Sequence, residues 1–142
     1  MIPADLIAAL IAILKADAQV AALAGTRVFG IELPKSEAAS MPRQAIVLQP
    51  SGGATLVGGS YVEHTAQRVD LFAYGETPYQ AYILGRAAAV ALKQIRRRVA
   101  VAVLVHWVDP AGGYITGRDP DADWPIVFQS FQAFYAETEI AA

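Results

Sequence analysis

The stretch from Thr77 to about Arg97 constrains this chain more than any other. Thr77 followed by Pro78 suits a helix start, with a hydroxyl N-cap and then proline at the first helical position, where a missing N–H costs nothing. Leu84, Ala88, Ala91 and Ile95 recur at the 3.6-residue period, while Arg86, Lys93 and Arg97 fall on the opposite side. The alanines allow close approach. The pattern therefore predicts a helix from Pro78 to about Arg97 with one face laid against a sheet, its end held by the cations Lys93, Arg96, Arg97 and Arg98, which suit a helix C-terminus.

A second amphipathic pattern opens the chain. Pro3 and Asp5 start a helix in which Leu6, Leu10 and Ile13 share a face, Ile7, Ile11 and Leu14 widen it, and Lys15 lies away from it. Asp17 caps a further helical turn through Leu23, ended by Gly25. The remainder alternates or is continuously apolar. Arg27–Phe29 reads as a short strand, followed by a polar loop with Pro34 and Pro42, and Gln44–Gln49 as a strand bounded by Pro50. A Gly- and Ser-rich stretch, residues 51–60, leads into a long strand from about Tyr61 to Tyr74, making a hairpin with a long tip. Val99–Val108 is apolar on both alternating faces apart from His106, as in a single strand covered by helices on one side and by a neighbouring subunit on the other. Residues 109–125 read as a Gly/Pro loop, and Ile126–Glu137 as the last strand, with Phe128, Phe131, Phe134 and Tyr135 shared between its faces. There is no internal repeat. The expectation is one α+β domain over residues 1–142, a largely antiparallel sheet packed against two main helices.

Composition bears on what surrounds that domain. Of the 142 residues 55% are hydrophobic and 17% charged, below the roughly 25% usual for globular domains. Much of the apolar fraction is alanine, but the weakly charged surface still points to burial between subunits. A net charge of −2 supplies no global positive field to hold a polyanion. The absence of cysteine excludes disulfides and thiol chemistry and fits a cytosolic life. The apolar run Leu6–Leu14 covers nine residues, against the ~20 a membrane-spanning helix needs. Asp5, with no Lys or Arg ahead of the run, argues for a core helix and not a signal peptide.

The motifs that could carry chemistry are incomplete. Gly53-Ala54-Thr55-Leu56-Val57-Gly58-Gly59-Ser60 departs from a phosphate-binding loop at Gly59, where the lysine that reaches the phosphates should stand. A strand pattern follows it, not the helix that such a loop requires. Asp119, Asp121 and Asp123 alternate like the first calcium-loop ligands, but Trp124 replaces the turn glycine and Ser130 the bidentate glutamate. His64 and His106 sit in separate strand patterns without a companion at metal-ligand spacing, so each is expected to be an ordinary sheet histidine. The carboxylates Glu63, Asp70 and Asp109 have no spacing that brings them together. No catalytic, cofactor or metal residue is assigned. Two segments are left as candidate contact sites. One is the tip Gly53, Ala54, Thr55, Leu56, Val57 and Gly58, whose apolar pair Leu56 and Val57 calls for a partner; the other is the cluster Arg96, Arg97 and Arg98, suited to an acidic partner or a nucleic-acid phosphate.

Several segments together carry a family likeness: Leu23-Ala24-Gly25-Thr26-Arg27-Val28-Phe29, then Pro42-Arg43-Gln44-Ala45-Ile46-Val47-Leu48, then Arg68-Val69-Asp70-Leu71-Phe72-Ala73-Tyr74-Gly75 ahead of an Ala-rich helix. This pattern resembles the small tail-completion or tail-terminator proteins of long-tailed bacteriophages and gene-transfer particles, best over residues 6–95. The resemblance implies a non-enzymatic, ring-forming subunit, typically hexameric, that caps the tail tube, ends its growth and joins the head. Its implied partners are copies of itself, the tube protein and a head-completion or connector protein, with DNA only passing through the ring and no membrane. Its implied place is the virion tail, after assembly in the host cytoplasm. A head-completion or neck adaptor, or a non-viral cytosolic small-ligand-binding domain, is the alternative.

Overall fold

A computed structural model describes residues 2–52 and 64–140. The elements in order are α1 (Leu6–Ala16), α2 (Ala18–Ala24), β1 (Val28–Gly30), α3 (Lys35–Ala38), β2 (Ala45–Pro50), β3 (His64–Tyr74), α4 (Pro78–Lys93), β4 (Arg96–Ala100), β5 (Val103–Arg118) and β6 (Pro125–Ala136). The strands form one six-stranded sheet in the order β1-β2-β3-β6-β5-β4. Only β1 and β2 run parallel; the other pairs are antiparallel. This is the α+β architecture, largely antiparallel with α1 and α4 on one face, that the patterns predict.

The helix starts follow their capping chemistry. Asp5 accepts the Ala8 N–H, Asp17 accepts those of Gln19 and Val20, and Thr77 accepts that of Gln80. Pro3 lies ahead of the first helix, in an isolated bridge to Thr138. Gly25 closes α2 at φ 60°. Leu84, Ala88, Ala91 and Ile95 are all buried, with Leu6, Leu10, Ile13 and Leu14 of α1, over Val69, Leu71, Phe131 and Ala133 of the sheet. Close approach is literal at Gly85, where a Cβ would stand 3.2 Å from Val127 Cγ1.

Four expectations need correction. The helix ends at Lys93, not Arg97; Gln94 caps it, Ile95 drops into the core from the turn, and Arg96, Arg97 and Arg98 belong to the edge strand β4. Lysine and arginine are good helix formers, which hid the boundary. Val99–Val108 is two strands joined by a two-residue hairpin. Val101 (φ 51°) and Ala102 (φ 60°) take the left-handed conformation that such turns require and that neither residue favours. Val99 and Val101 are exposed. The supposed loop 109–125 is mostly strand: β5 continues to Arg118, with register shifts flanking Gly112 (φ 87°), beside Gly113 (φ 73°), and only residues 119–124 turn. Finally, the polar loop after β1 contains α3, from which Glu37 holds Arg43 in a two-pronged ion pair at 2.7 Å and 2.7 Å. The arginine beside it lowers the Glu37 carboxyl's pKa against the opposing effect of burial.

Candidate functional site: the open face and edge of the sheet

Alternation divides the sheet into two faces. Odd-numbered Val69, Leu71 and Ala73 of β3 point to the helices with Phe131 and Ala133 of β6. Even-numbered residues turn the other way, in cross-strand pairs His64↔Ala136, Ala66↔Phe134, Arg68↔Gln132, Asp70↔Ser130 and Phe72↔Phe128. Among the described residues no helix packs over this second face.

Three zones follow one another along it. At one end Phe72 and Phe128 pack at 5.2 Å, Tyr74 meets Trp124 edge-on at 6.0 Å, and Ile115 is 60% exposed. A shallow depression of about 330 Å³ lies between them. In the middle, Asp70 Oδ1 accepts hydrogen bonds from Ser51 Oγ (2.9 Å) and Ser130 Oγ (2.6 Å). At the far end the two histidines, expected to be independent, are in direct contact: His106 Nε2 lies 2.9 Å from His64 Nδ1. Both rings pack on Phe134, which also stacks on Trp107. Burial first, then His64 and Arg97, lowers the His106 pKa. The contact escapes sequence reading because His64 and His106 reach each other over β6, a third strand that separates them.

These groups do not assemble a nucleophile and base. Asp70 with its serines stands six positions along β3 from His64, roughly 20 Å at strand spacing. Asp109 pairs with Gln132 in β5, so it joins neither group, and Glu63 lies outside the described residues. Asp119 is occupied by its own turn, its Oδ1 accepting from the Asp121 and Ala122 N–H groups. No three potential metal ligands converge among the described residues.

Of the contact segments chosen from sequence, Gly53–Gly58 lies outside the described residues, as does the whole phosphate-loop-like stretch. Arg96, Arg97 and Arg98 are exposed on the β4 edge. Arg96 still serves the helix end, donating from Nη1 to the Lys93 and Ile95 carbonyls at 2.9 and 2.7 Å. Among the described residues no carboxylate lies within ion-pair distance of Arg97 or Arg98. The left-handed backbone at Arg97 (φ 47°) and the row of cations discourage strand addition at this edge.

The sequence reading missed a further groove on the helical side. It measures about 430 Å³ between α2 and α4, and exposed Tyr79, Tyr82, Arg86 and Val90 line it with Gln19 and Leu23. Arg86 sits over the Tyr82 ring at 5.8 Å. The spacing of Tyr79, Tyr82, Arg86 and Val90 along α4 is itself a helical stripe, opposite the buried one. Tyrosine and arginine so exposed are the composition of protein interfaces.

The elements define an α+β fold with one sheet face packed on helices and the other left open. No protein-family model matches the sequence, and no curated protein matches it significantly. A chain from the virion of a native gene transfer agent (GTA) particle has a similar fold, with a TM-score of 0.67, 20% sequence identity, and coverage of 92% of this chain and 94% of that one.

Proposed function

We propose that this chain is a structural subunit of a phage-type particle, a tail terminator that assembles into a hexameric ring on the end of the tail tube. The fold shared almost end to end with a chain of a gene transfer agent virion is the observation that carries this reading. The open sheet face, the exposed groove on α4 and the low charge support it, because each is surface that association would remove from water. The ring ends tube growth and offers its free side to a head-completion or connector protein. The segment Gly53–Gly58 and the edge Arg96, Arg97 and Arg98 are the proposed contact sites, the arginines facing an acidic partner or passing DNA. On this reading the protein has no enzymatic activity, takes no cofactor, and resides in the virion tail after assembly in the host cytoplasm.

The experiment is deletion of the gene from a particle-producing strain, followed by electron microscopy, with light scattering of the purified protein alone and with tail tubes. Tails of uncontrolled length without heads, and rings on tube ends restored by the added protein, are expected. Tails of normal length that merely lack heads would assign it to the neck instead. Normal particles would overturn a structural role.

A further inference from the structure

His64 is the first residue of β3 and pairs with Ala136; His106 lies at the β5 register shift, where Val105 pairs with Tyr135 and Trp107 with Phe134. With β6 between them, the two backbones stand about 10 Å apart. The rings close that gap across β6, both packed on Phe134, edge to face with centroids 4.7 Å apart and Nε2 to Nδ1 at 2.9 Å. A nitrogen pair at that distance needs one N–H and one bare nitrogen. It is satisfied when both rings are neutral. It is satisfied again, and strengthened, when one ring is an imidazolium. When both are protonated, two donors and two like charges face each other.

The surroundings decide which way this tips. From β4, Arg97 stands between the pairs Arg96↔Trp107 and Arg98↔Val105, beside His106, and adds a third positive charge. From β6, Phe134 and Ala136 bring apolar atoms and no charge. The carboxylate of Asp109, on β5 itself, is exposed further along at Gln132, opposite Arg68 of β3. Glu137, past the end of β6, is exposed and acts on Tyr135. No third metal-ligating group joins the two rings among the described residues. Two imidazoles facing each other in this way respond to protons.

We propose that the His64–His106 pair is a proton-sensitive tie across β6, closed while the rings retain one bare nitrogen between them and opened when both become imidazolium. Opening frees the start of β3 from the bulged part of β5 and loosens Phe134 and Trp107, so acid reshapes this end of the open face. The lowered His106 pKa has the matching sign. A folded-state value below the unfolded one means that stability is whole above the unfolded value of ~6.5 and is lost as pH falls through the folded value.

The test uses the full chain, with ring nitrogens followed by NMR from pH 8 to 4.5 and thermal melts of the wild type, His106→Gln and His64→Gln over the same range. The expected result is two protonation steps more than about one pH unit apart, with a fall in Tm between pH 7 and 5 that either substitution at least halves. Two rings titrating independently near pH 6.5, or variants that keep the whole fall, would overturn the proposal. Should both variants fail to fold, the wild-type ring titration decides alone.

Discussion

The two faces of the sheet are built from the same strands and differ in what covers them. On the helical side Val69, Leu71, Phe131 and Ala133 are buried under α1 and α4. On the other side Phe72, Phe128 and Phe134 are only partly buried, Arg68 and Ile115 are exposed, and the polar atoms of Asp70, Ser130, His64 and His106 satisfy one another. The difference teaches which residues fold the chain and which are available for partners. A face closed by apolar packing has no polar atoms to satisfy, whereas a face with paired polar groups and half-covered aromatics can be wet in one state and buried in another.

The sharpest way to break that comparison is on the helical side. Ala88 is fully buried between α4 and the sheet, so Ala88→Arg forces a charge into a packed interior and should cost more than ~4 kcal/mol. Absence of a cooperative melt by circular dichroism is expected; a native-like melt would mean that the stripe is not the packing face. Phe128 and Phe131 of β6 make the comparison within one strand. Phe131→Ala should cost about 3–5 kcal/mol in urea denaturation, since Phe131 is fully buried. Phe128→Ala, on the half-exposed face, should cost less than half as much, and equal losses would erase the distinction between faces.

A smaller effect is expected at the α3 ion pair. The Arg43 guanidinium, hydrogen-bonded to Glu37, lowers the carboxyl's pKa. Its stabilising contribution is thus present above the ordinary value of about 4.5 and is lost as pH falls through the folded value. Glu37→Gln should flatten the acid limb of the stability curve below that pH and leave the histidine-dependent region between pH 7 and 5 unchanged. The smallest effect belongs to the open face itself. Ile115→Ser removes a side chain that is 60% exposed and should shift stability by no more than ~0.5 kcal/mol, while weakening self-association if that face is an interface. Sedimentation measures the second quantity and urea titration the first.

Much of the scaffold was legible in the residues because its signals are local. Asp17 to Gly25 names its own cap, turn and stop, and the stripe Leu84, Ala88, Ala91 and Ile95 names its own buried face. Legibility ended where a local signal was overruled from a distance. Val101 and Ala102 are poor residues for a left-handed turn, yet the chain turns there, with the Ile140 N–H held by the Ala102 carbonyl and Val103 buried beneath. Gly112 and Gly113 suggested a loop and instead mark bulges in a strand whose pairing to β6 carries on beyond them.

The sequence by itself determined the α+β class, the capped helices, the buried helix stripes and the absence of any thiol, because periodicity, capping and composition depend only on neighbours along the chain. Tertiary structure alone decided that Arg96–Arg98 lie in an edge strand, that Asp70 collects two serines from different segments, and that His64 and His106 share a contact across β6. Those outcomes depend on which strands lie side by side and in what register. Register is settled by the collective burial of apolar side chains, a property of the whole sheet that no short stretch of residues contains.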